Sequence, residues 1–479
     1  MTTKLLLQKN SKLRFEFLPK TIMSILLTFA IPNGLLFLLA QWMGVGRDLI
    51  NLDYSLIVVL VAANIYFLAI PLFLLFLLVD LFNIFGQVYP FVRLNDALYL
   101  VRFILYGPGY YRIALVFIGC AALSSVWFML TWGRVSLSSA LFAFNASLVG
   151  YMFNVYGEGD DVNRFWRVSN SHIVGSQALY FYEYRSRGFI QSYFIDNKDV
   201  LLPAEYSRIT EALNDSESLL PEKILFIVNE SWGVPLNKDI QKELVAPLKK
   251  VSEDRVFEFG DLSFVGATVA AELKELCGLH PIHFNLSKVT VGFEECLPNK
   301  MRALGYSTSS FHGAVGLMYD RIHWYPRAGF DKSIFYESRA WEKRCYSFPG
   351  ACDSELAAYV AEELGQEGKR FVYWLTLNTH SIYDDRDLEV DSFSCESFNI
   401  SSGEVCRNMK LQAQFFHTVS RMLQDYDLAD VEVVVVGDHV PPVSILSEQE
   451  ESYETGKVGW ARVSSATVSQ TQDAAVAHR

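Results

Sequence analysis

The sequence predicts a multi-pass α-helical membrane domain followed by an α/β domain with a mainly parallel central sheet. Three observations predict it. The chain has 479 residues, a mean hydropathy of +0.18 and 14% aromatics, and its apolar excess sits in the first third. From about Gly157 onward, short β-rich apolar runs alternate with helical stretches, the pattern of a parallel sheet covered on both faces. Three of those runs, "ILFIV", "FVYWLTL" and "VEVVVV", each end in residues able to do chemistry.

The membrane reading rests on four apolar stretches. They begin at Thr21, Tyr54, Ile113 and Ser136, and each is long enough for a hydrocarbon core that needs about 20 apolar residues. Between the second and third lies a weaker segment carrying Arg93, Asp96 and Arg102, which reads as a tilted span or an interfacial helix. The basic N-terminus stays cytoplasmic by the positive-inside rule. The first apolar run is too long for a signal peptide and lacks a small-residue cleavage site. Five crossings put the rest of the chain outside the cytoplasm, and four would leave it inside.

Cysteine placement bears on that choice. Of seven cysteines, Cys120 alone falls in an apolar span. Cys277, Cys296, Cys345, Cys352, Cys395 and Cys406 all lie in the polar two thirds, an even number that suits an oxidising compartment. Six cysteines allow many pairings. The short loops favour Cys345–Cys352 and Cys395–Cys406, leaving Cys277–Cys296. The organisation expected is therefore a transmembrane domain over 1–155 with about five spans, a juxtamembrane connector over 156–220, an extracytoplasmic catalytic domain over 221–448, and a polar, poorly ordered tail over 449–479. The acidic balance, 53 Asp and Glu against 41 Lys and Arg, argues against general nucleic-acid binding.

In parallel sheets, ligands bind beyond the carboxyl ends of the strands. Glu230, His380, Asp438 and His439 follow such strands and should meet on one rim. Two carboxylates and an imidazole, from Glu230, Asp438 and His439, suit one divalent ion: Mn²⁺, Mg²⁺ or Zn²⁺. Taken singly, Glu230 reads equally well as a buried paired acid, and the Asp-His pair as a turn residue beside a surface imidazole. Thr268, in "GATVAAELKELCGL", stands before an apolar-periodic helix. It reads as a helix N-cap or as a nucleophile activated by a metal. His312 and Arg321 form a further pair, Arg suiting bidentate phosphate recognition, with a surface ion pair to Asp320 or Asp331 as its structural reading. His280 and His283 follow Cys277 without a familiar metal spacing and are read as structural.

The motifs "FIVNESWG", "GATVAAE", "FHG" with Arg321 nine residues after its histidine, "LTLNTHSIY" and "VVGDH" occur in one order. That order resembles the sulfatase-like membrane phosphotransferases of the alkaline-phosphatase-like superfamily, most of all lipoteichoic acid synthases and periplasmic glucan phosphoglycerol transferases. The resemblance implies an alkaline-phosphatase/sulfatase-like domain. It places Glu230, Thr268, Asp438 and His439 at one metal, Mn²⁺ first, with Thr268 as nucleophile. It places His312, Arg321 and His380 on the donor headgroup, His380 also serving the leaving oxygen. Two positions depart from the pattern: Ala314 stands where lipoteichoic acid synthases have an acid, and Tyr319 where they have Trp.

The activity implied moves phosphoglycerol from phosphatidylglycerol to a cell-envelope glycan or polyol-phosphate polymer through a phospho-threonine. The location implied is the bacterial cytoplasmic membrane, with the catalytic domain on the periplasmic or extracellular side. Phosphoethanolamine transfer and phosphoester or sulfate-ester hydrolysis belong to the same class. Sulfatases proper use a modified Cys or Ser where this chain has Thr268. From other classes, a non-catalytic envelope assembly factor would have lost a member of the metal set. A transporter would carry more charge in its spans.

Overall fold

A computed structural model of the chain describes residues 29–43, 45–88, 109–132, 136–157, 173–182, 200–214, 220–282 and 284–464. Two compact units divide the chain: Met1–Pro90 with Arg112–Ser186, and Phe91–Tyr111 with Arg187–Arg479.

The first unit is helical: α1 (Ile31–Met43), α2 (Leu52–Ala62), α3 (Tyr66–Val88), α4 (Gly109–Trp132) and α5 (Leu137–Gly157). The run from Tyr54 to Phe82, expected as one long span, is two helices. The break falls at Ala63–Asn64, where Asn64 takes a left-handed φ of 61°, a conformation Asn tolerates better than most residues. α2 folds back along α3, so that the Tyr54 ring meets Phe73 at 5.9 Å and its hydroxyl donates to Asp80. Among the described residues, one helix, Tyr66–Gln87, is long and apolar enough to cross a membrane; the other apolar helices are shorter. Arg93, Asp96 and Arg102 lie outside the described residues.

A charged pair is sealed inside this apolar unit. Arg47 gives Nε and Nη2 to Asp80 at 3.0 and 2.7 Å, and both side chains are fully buried. Its remaining donors go to the Asn33 backbone and side chain and to the Asp48 carbonyl. Full satisfaction of this kind is what allows a charge to persist in an apolar interior.

The expected connector divides between the units. Val174–Gly175 pairs in parallel with Ile50–Asn51 in the helical unit, whereas Leu201–Pro203 pairs antiparallel with Leu279–Pro281 in the second.

The second unit is built on one eight-stranded sheet. Its strands are β1 (Lys223–Asn229), β2 (Gly233–Pro235), β3 (Val256–Ser263), β4 (Ser307–His312), β5 (Lys332–Ile334), β6 (Arg370–Leu375), β7 (Glu432–Gly437) and β8 (Tyr453–Ser464). Their order is β2-β8-β7-β1-β6-β4-β5, with β3 on β8. Neighbours from β7 to β5 run parallel; β8 is antiparallel to β7, β2 and β3. The sheet is therefore mixed, with a parallel centre. The central strands are buried along their length, as runs such as Val433–Val436 require when both faces are covered.

Helices cover both faces. α6 (Lys238–Lys250) packs on one side, and α7 (Thr268–Cys277), α8 (Leu297–Ala303) and α9 (Arg321–Ala328) on the other. α10 (Asp353–Leu364) and α11 (Gly403–Asp425) join α6. Three disulfides, Cys277–Cys296, Cys345–Cys352 and Cys395–Cys406, follow the pairing that loop lengths favour. Each closes a short loop of the kind worth roughly 2–4 kcal/mol.

The tail expected from 449 onward is corrected over its first part. Residues 453–464 form β8, which supplies the antiparallel flank of the sheet. Two of its charged residues are paired: Arg462 Nε donates to Glu432 at 2.5 Å, and Lys457 Nζ reaches Asp261 at 2.6 Å. Gly459 lies against Trp232, where a Cβ would come within 2.5 Å of the indole. Residues 465–479 lie outside the described residues.

Candidate active site at the carboxyl rim of the sheet

Strand register assembles the site. Gly437 of β7 pairs with Asn229 of β1, so Asp438 and Glu230 leave the sheet side by side. Leu375 of β6 pairs with Val228 on one side and His312 on the other, which sets Thr376 and His312 along the same rim. The strands are parallel, so all these residues exit at one end. Gly437 is required there, because a Cβ would stand 2.3 Å from the Trp232 carbonyl oxygen.

Glu230, Asp438 and His439 converge, with ligand atoms all within 4.8 Å of one another. His439 Nε2 lies 3.3 Å from Glu230 Oε1 and 3.3 Å from Asp438 Oδ2. Its Nδ1 sits 3.1 Å from the Val440 carbonyl, to which it donates, leaving Nε2 turned to the carboxylates. Thr268 Oγ1 is 3.3 Å from Glu230 Oε2 and 3.5 Å from His439 Nε2. Thr268 opens α7 as its first helical residue. The cap position is Ala267, without a side-chain cap bond, so the N-cap reading of Thr268 is corrected. The hydroxyl instead faces the cluster.

The backbone around these groups is fixed by residues that sequence pattern did not single out. Ser231, at a left-handed φ of 53°, donates its N–H to Asp438 Oδ1 at 2.7 Å, and the His439 N–H donates to the same oxygen. Thr376 Oγ1 accepts the Glu230 N–H at 2.8 Å and donates to Asn229 Oδ1. Gln412, from the middle of α11, donates to the carbonyls of Glu230 and Ser231 and accepts from Asn229. Gln412 carried no local signal, because its target lies far away in sequence. Ser231 was legible only by its place beside Glu230.

The electrostatics favour a cation. Burial pushes the Asp438 carboxyl up, and the neighbouring Glu230 charge pushes it further. Burial also pushes Glu230 up, but the positive charges of His380 and His439 carry it below the ordinary carboxylate range. Burial pulls His439 down, yet the Asp438 and Glu230 charges carry it up to about 9. Two buried carboxylates this close cannot both ionise without a compensating charge. Asp438 Oδ2 is buried, 3.3 Å from His439 Nε2, and accepts no hydrogen bond of good geometry among the described residues. Two carboxylates, an imidazole Nε2 and a hydroxyl fit one divalent metal.

The residues expected on the donor headgroup are placed differently. His312 is buried, with Nδ1 3.1 Å from the Leu375 carbonyl. Burial and then the Arg321 charge hold its imidazole well below the usual value, so it is neutral. His380 is half-buried, and its Nδ1 donates to the Ser381 carbonyl. Arg321 is neither a surface residue nor paired with Asp320 or Asp331. It is buried, with Nε and Nη2 on Glu272 Oε2 at 2.9 and 2.7 Å and Nη1 on the Met318 carbonyl. Tyr325 and Tyr373 donate their hydroxyls to the other Glu272 oxygen. Glu272 follows Thr268 by one helical turn, a spacing that was visible in the sequence. Cys277 is engaged in a disulfide, His280 is exposed and His283 lies outside the described residues, so the "CGLHPIH" stretch holds no metal group among the described residues.

A buried metal-fitting cluster beside a hydroxyl at a helix N-terminus defines a class of metal-dependent enzymes that work on ester bonds. The family model described as Sulfatase matches residues 223–462, and the chain belongs to that family. A search of curated proteins returns no match. Similar solved structures include the lipoteichoic acid synthase LtaP from Listeria monocytogenes, at 14% identity over 53% of this chain and 71% of that one, with a TM-score of 0.36. The Streptococcus pyogenes phosphoglycerol transferase GacH, in complex with sn-glycerol-1-phosphate, gives 14% identity, 53% and 72% coverage and a TM-score of 0.35. The C-terminal periplasmic domain of EcEptC from Escherichia coli, in complex with Zn, gives 12% identity, 54% and 76% coverage and 0.38.

Proposed function

We propose that this chain is a membrane-bound, metal-dependent phosphotransferase that moves phosphoglycerol from phosphatidylglycerol to a cell-envelope glycan or polymer through a phospho-threonine at Thr268. The observation that carries the reading is the position of Thr268 Oγ1, 3.3 Å from Glu230 and 3.5 Å from His439 at the first turn of α7. Glu230, Asp438, His439 and Thr268 would hold the metal, Mn²⁺ first. When bound, it supplies charge neutralisation for the phosphoryl oxygens and acidifies the Thr268 hydroxyl.

The remaining work falls to side chains. Thr268 Oγ gives its proton to a neighbouring carboxylate and forms a bond to phosphorus, while the bond from phosphorus to the diacylglycerol oxygen breaks. His380 delivers a proton to that leaving oxygen. The phosphoryl group then rests at the N-terminus of α7, where free backbone N–H groups and the helix dipole favour an anion. In the second step an acceptor hydroxyl attacks phosphorus and its proton passes to His380, while the bond to Thr268 Oγ breaks and the carboxylate returns its proton to that oxygen. His312, kept neutral, completes the headgroup side, and Arg321, whose guanidinium is taken up by Glu272 and the Met318 carbonyl, would act there through its charge.

Two further features support the reading. Three disulfides suit a domain exported to an oxidising compartment, on the periplasmic or extracellular side. The apolar helices of the first unit, one of them long enough to cross a membrane, suit an anchor that raises the effective concentration of a lipid donor. The test is incubation with Mn²⁺ and labelled phosphatidylglycerol, followed by mass analysis of the peptide containing Thr268. Phosphoglycerol on Thr268 and release of diacylglycerol are expected. An unmodified Thr268, with activity that survives Thr268→Ala, would overturn the proposal. Diacylglycerol released from phosphatidylethanolamine alone would reassign the headgroup.

A further inference from the structure

The hairpin closed by Cys345–Cys352 touches His380 and Gly313, the residue that follows His312. Its strands, Arg344–Cys345 and Gly350–Ala351, pair antiparallel under the disulfide. From one strand, Ala351 donates its N–H at 2.9 Å to the carbonyl of Gly313, the residue after His312. The approach leaves no space for side chains: a Cβ on Gly350 would stand 2.3 Å from the Gly313 oxygen, and one on Gly313 2.5 Å from the Ala351 oxygen. From the turn, the Phe348 ring packs on the His380 ring at 4.6 Å. Phe348 is itself buried with Ala314 and Leu377.

The foot of the hairpin holds the strand end that leads to His380. Asp353, buried directly after Cys352, accepts the N–H groups of Leu377 at 2.9 Å and Asn378 at 2.7 Å. Its own N–H donates to Asn378 Oδ1 at 2.5 Å. Beyond His380, Ser347 Oγ accepts the Asp384 N–H, and Asp387 accepts the N–H groups of Tyr346 and Ser347. The loop carrying His380 is therefore pinned to the hairpin before and after the histidine. The metal-fitting groups are held by a different set: Ser231, Thr376, Gln412 and the Val440 carbonyl.

We propose that the Cys345–Cys352 hairpin, with Phe348 and Asp353, is the positioning element of the headgroup half of the site. It fixes His312 and His380 against Thr268, and opening its disulfide loosens headgroup recognition while leaving metal binding intact. This rests on the reading of the two histidines as headgroup ligands. A locked second layer of this kind is what keeps a reacting constellation within about 0.5 Å of its productive geometry.

The test uses the full chain in detergent, loaded with Mn²⁺. Carbethoxylation of His380 by diethyl pyrocarbonate is followed by peptide mass analysis in the parent, the C345S/C352S pair, Phe348→Ala, Phe348→Tyr and Asp353→Asn. His380 should label several-fold faster in C345S/C352S, Phe348→Ala and Asp353→Asn, and at the parent rate in Phe348→Tyr. Mn²⁺ affinity should match the parent throughout. Unchanged labelling would overturn the proposal, and so would a fall in Mn²⁺ affinity that parallels faster labelling. On vesicles containing phosphatidylglycerol, C345S/C352S, Phe348→Ala and Asp353→Asn should raise KM by at least about tenfold, and Phe348→Tyr should leave it unchanged. Absence of turnover by the parent on those vesicles would refute the donor assignment, and His380 labelling would still decide the hairpin.

Discussion

Glu272 takes both Nε and Nη2 of Arg321 on a single carboxylate oxygen, while its other oxygen accepts the hydroxyls of Tyr325 and Tyr373. One residue thus ties α7, which begins at Thr268, to α9, which begins at Arg321. Breaking a buried pair from one side leaves an uncompensated charge and costs roughly 3–5 kcal/mol. Glu272→Gln should therefore lower the melting temperature more than the double variant Glu272→Gln/Arg321→Met. A thermal double-mutant cycle measures the coupling; additive effects would show that the pair is not a unit.

Thr268→Ala should reduce headgroup transfer by at least roughly 10³-fold, the loss expected when a nucleophile is removed. Thr268→Ser should keep part of the activity, since it retains the hydroxyl. Both variants should fold like the parent, because the helix start uses Ala267 as its cap and draws no cap bond from a side chain there. Transfer assays with matched melting curves check this.

Metal should stabilise the fold by relieving the Glu230–Asp438 clash. Added Mn²⁺ at about 100 times its dissociation constant contributes about 2.7 kcal/mol. Asp438→Asn should weaken metal binding, yet raise the melting temperature of the metal-free protein. The Asn carbonyl oxygen can still accept from Ser231 and His439, and Asn avoids the cost of holding a carboxyl protonated beside Glu230, so the gain should grow as pH rises from about 4 toward about 8. Scanning calorimetry with and without chelator distinguishes this from simple damage, which would lower both curves.

His312 makes stability sensitive to acid. Its folded-state pKa lies well below 6.5, first because it is buried and second because Arg321 is nearby. The unfolded chain therefore takes up a proton that the folded chain refuses, and stability falls as pH drops below about 6.5. Relative to the parent, His312→Gln should gain melting temperature progressively below that pH and match it above. A difference that stays flat from mildly basic to mildly acidic pH would rule this out.

Truncation before Tyr453 should unfold the second unit. β8 pairs with β7 and β3, and it buries Trp460, Ala461 and Val463. Its loss would leave the central valine strand as an open edge. Truncation after Ser464 keeps β8 whole and tests the same point from the other side. Circular dichroism of the two truncated chains compares them directly.

The strands that carry the site were legible because burial on both faces forces an unbroken apolar run, and "VEVVVV" has no other use. Glu230, Asp438 and His439 were legible for the same reason, being polar residues where such runs stop. β8 was not, because Gly456, Gly459 and Arg462 interrupt its apolar character, and their partners, Trp232 and Glu432 among them, lie in other strands or loops. The break at Asn64 was hidden inside a stretch whose hydropathy barely changes. Glu272 looked like an ordinary helical acid, since nothing local announces that Arg321, Tyr325 and Tyr373 will surround it. Residues that hold a site through distant partners leave little trace in local pattern.

The three disulfides join neighbouring cysteines in strict succession: 277 with 296, 345 with 352, 395 with 406. No bridge spans another. On the export proposed above, a chain emerging N-terminus first from a translocation pore can close each loop as soon as its second thiol appears, before the next cysteine is exposed. A simple oxidant that joins thiols in order of arrival suffices, and slow reshuffling of wrong pairs, which takes seconds to hours, is avoided. Maturation of the domain should then depend on the cell's oxidase and hardly at all on its isomerase.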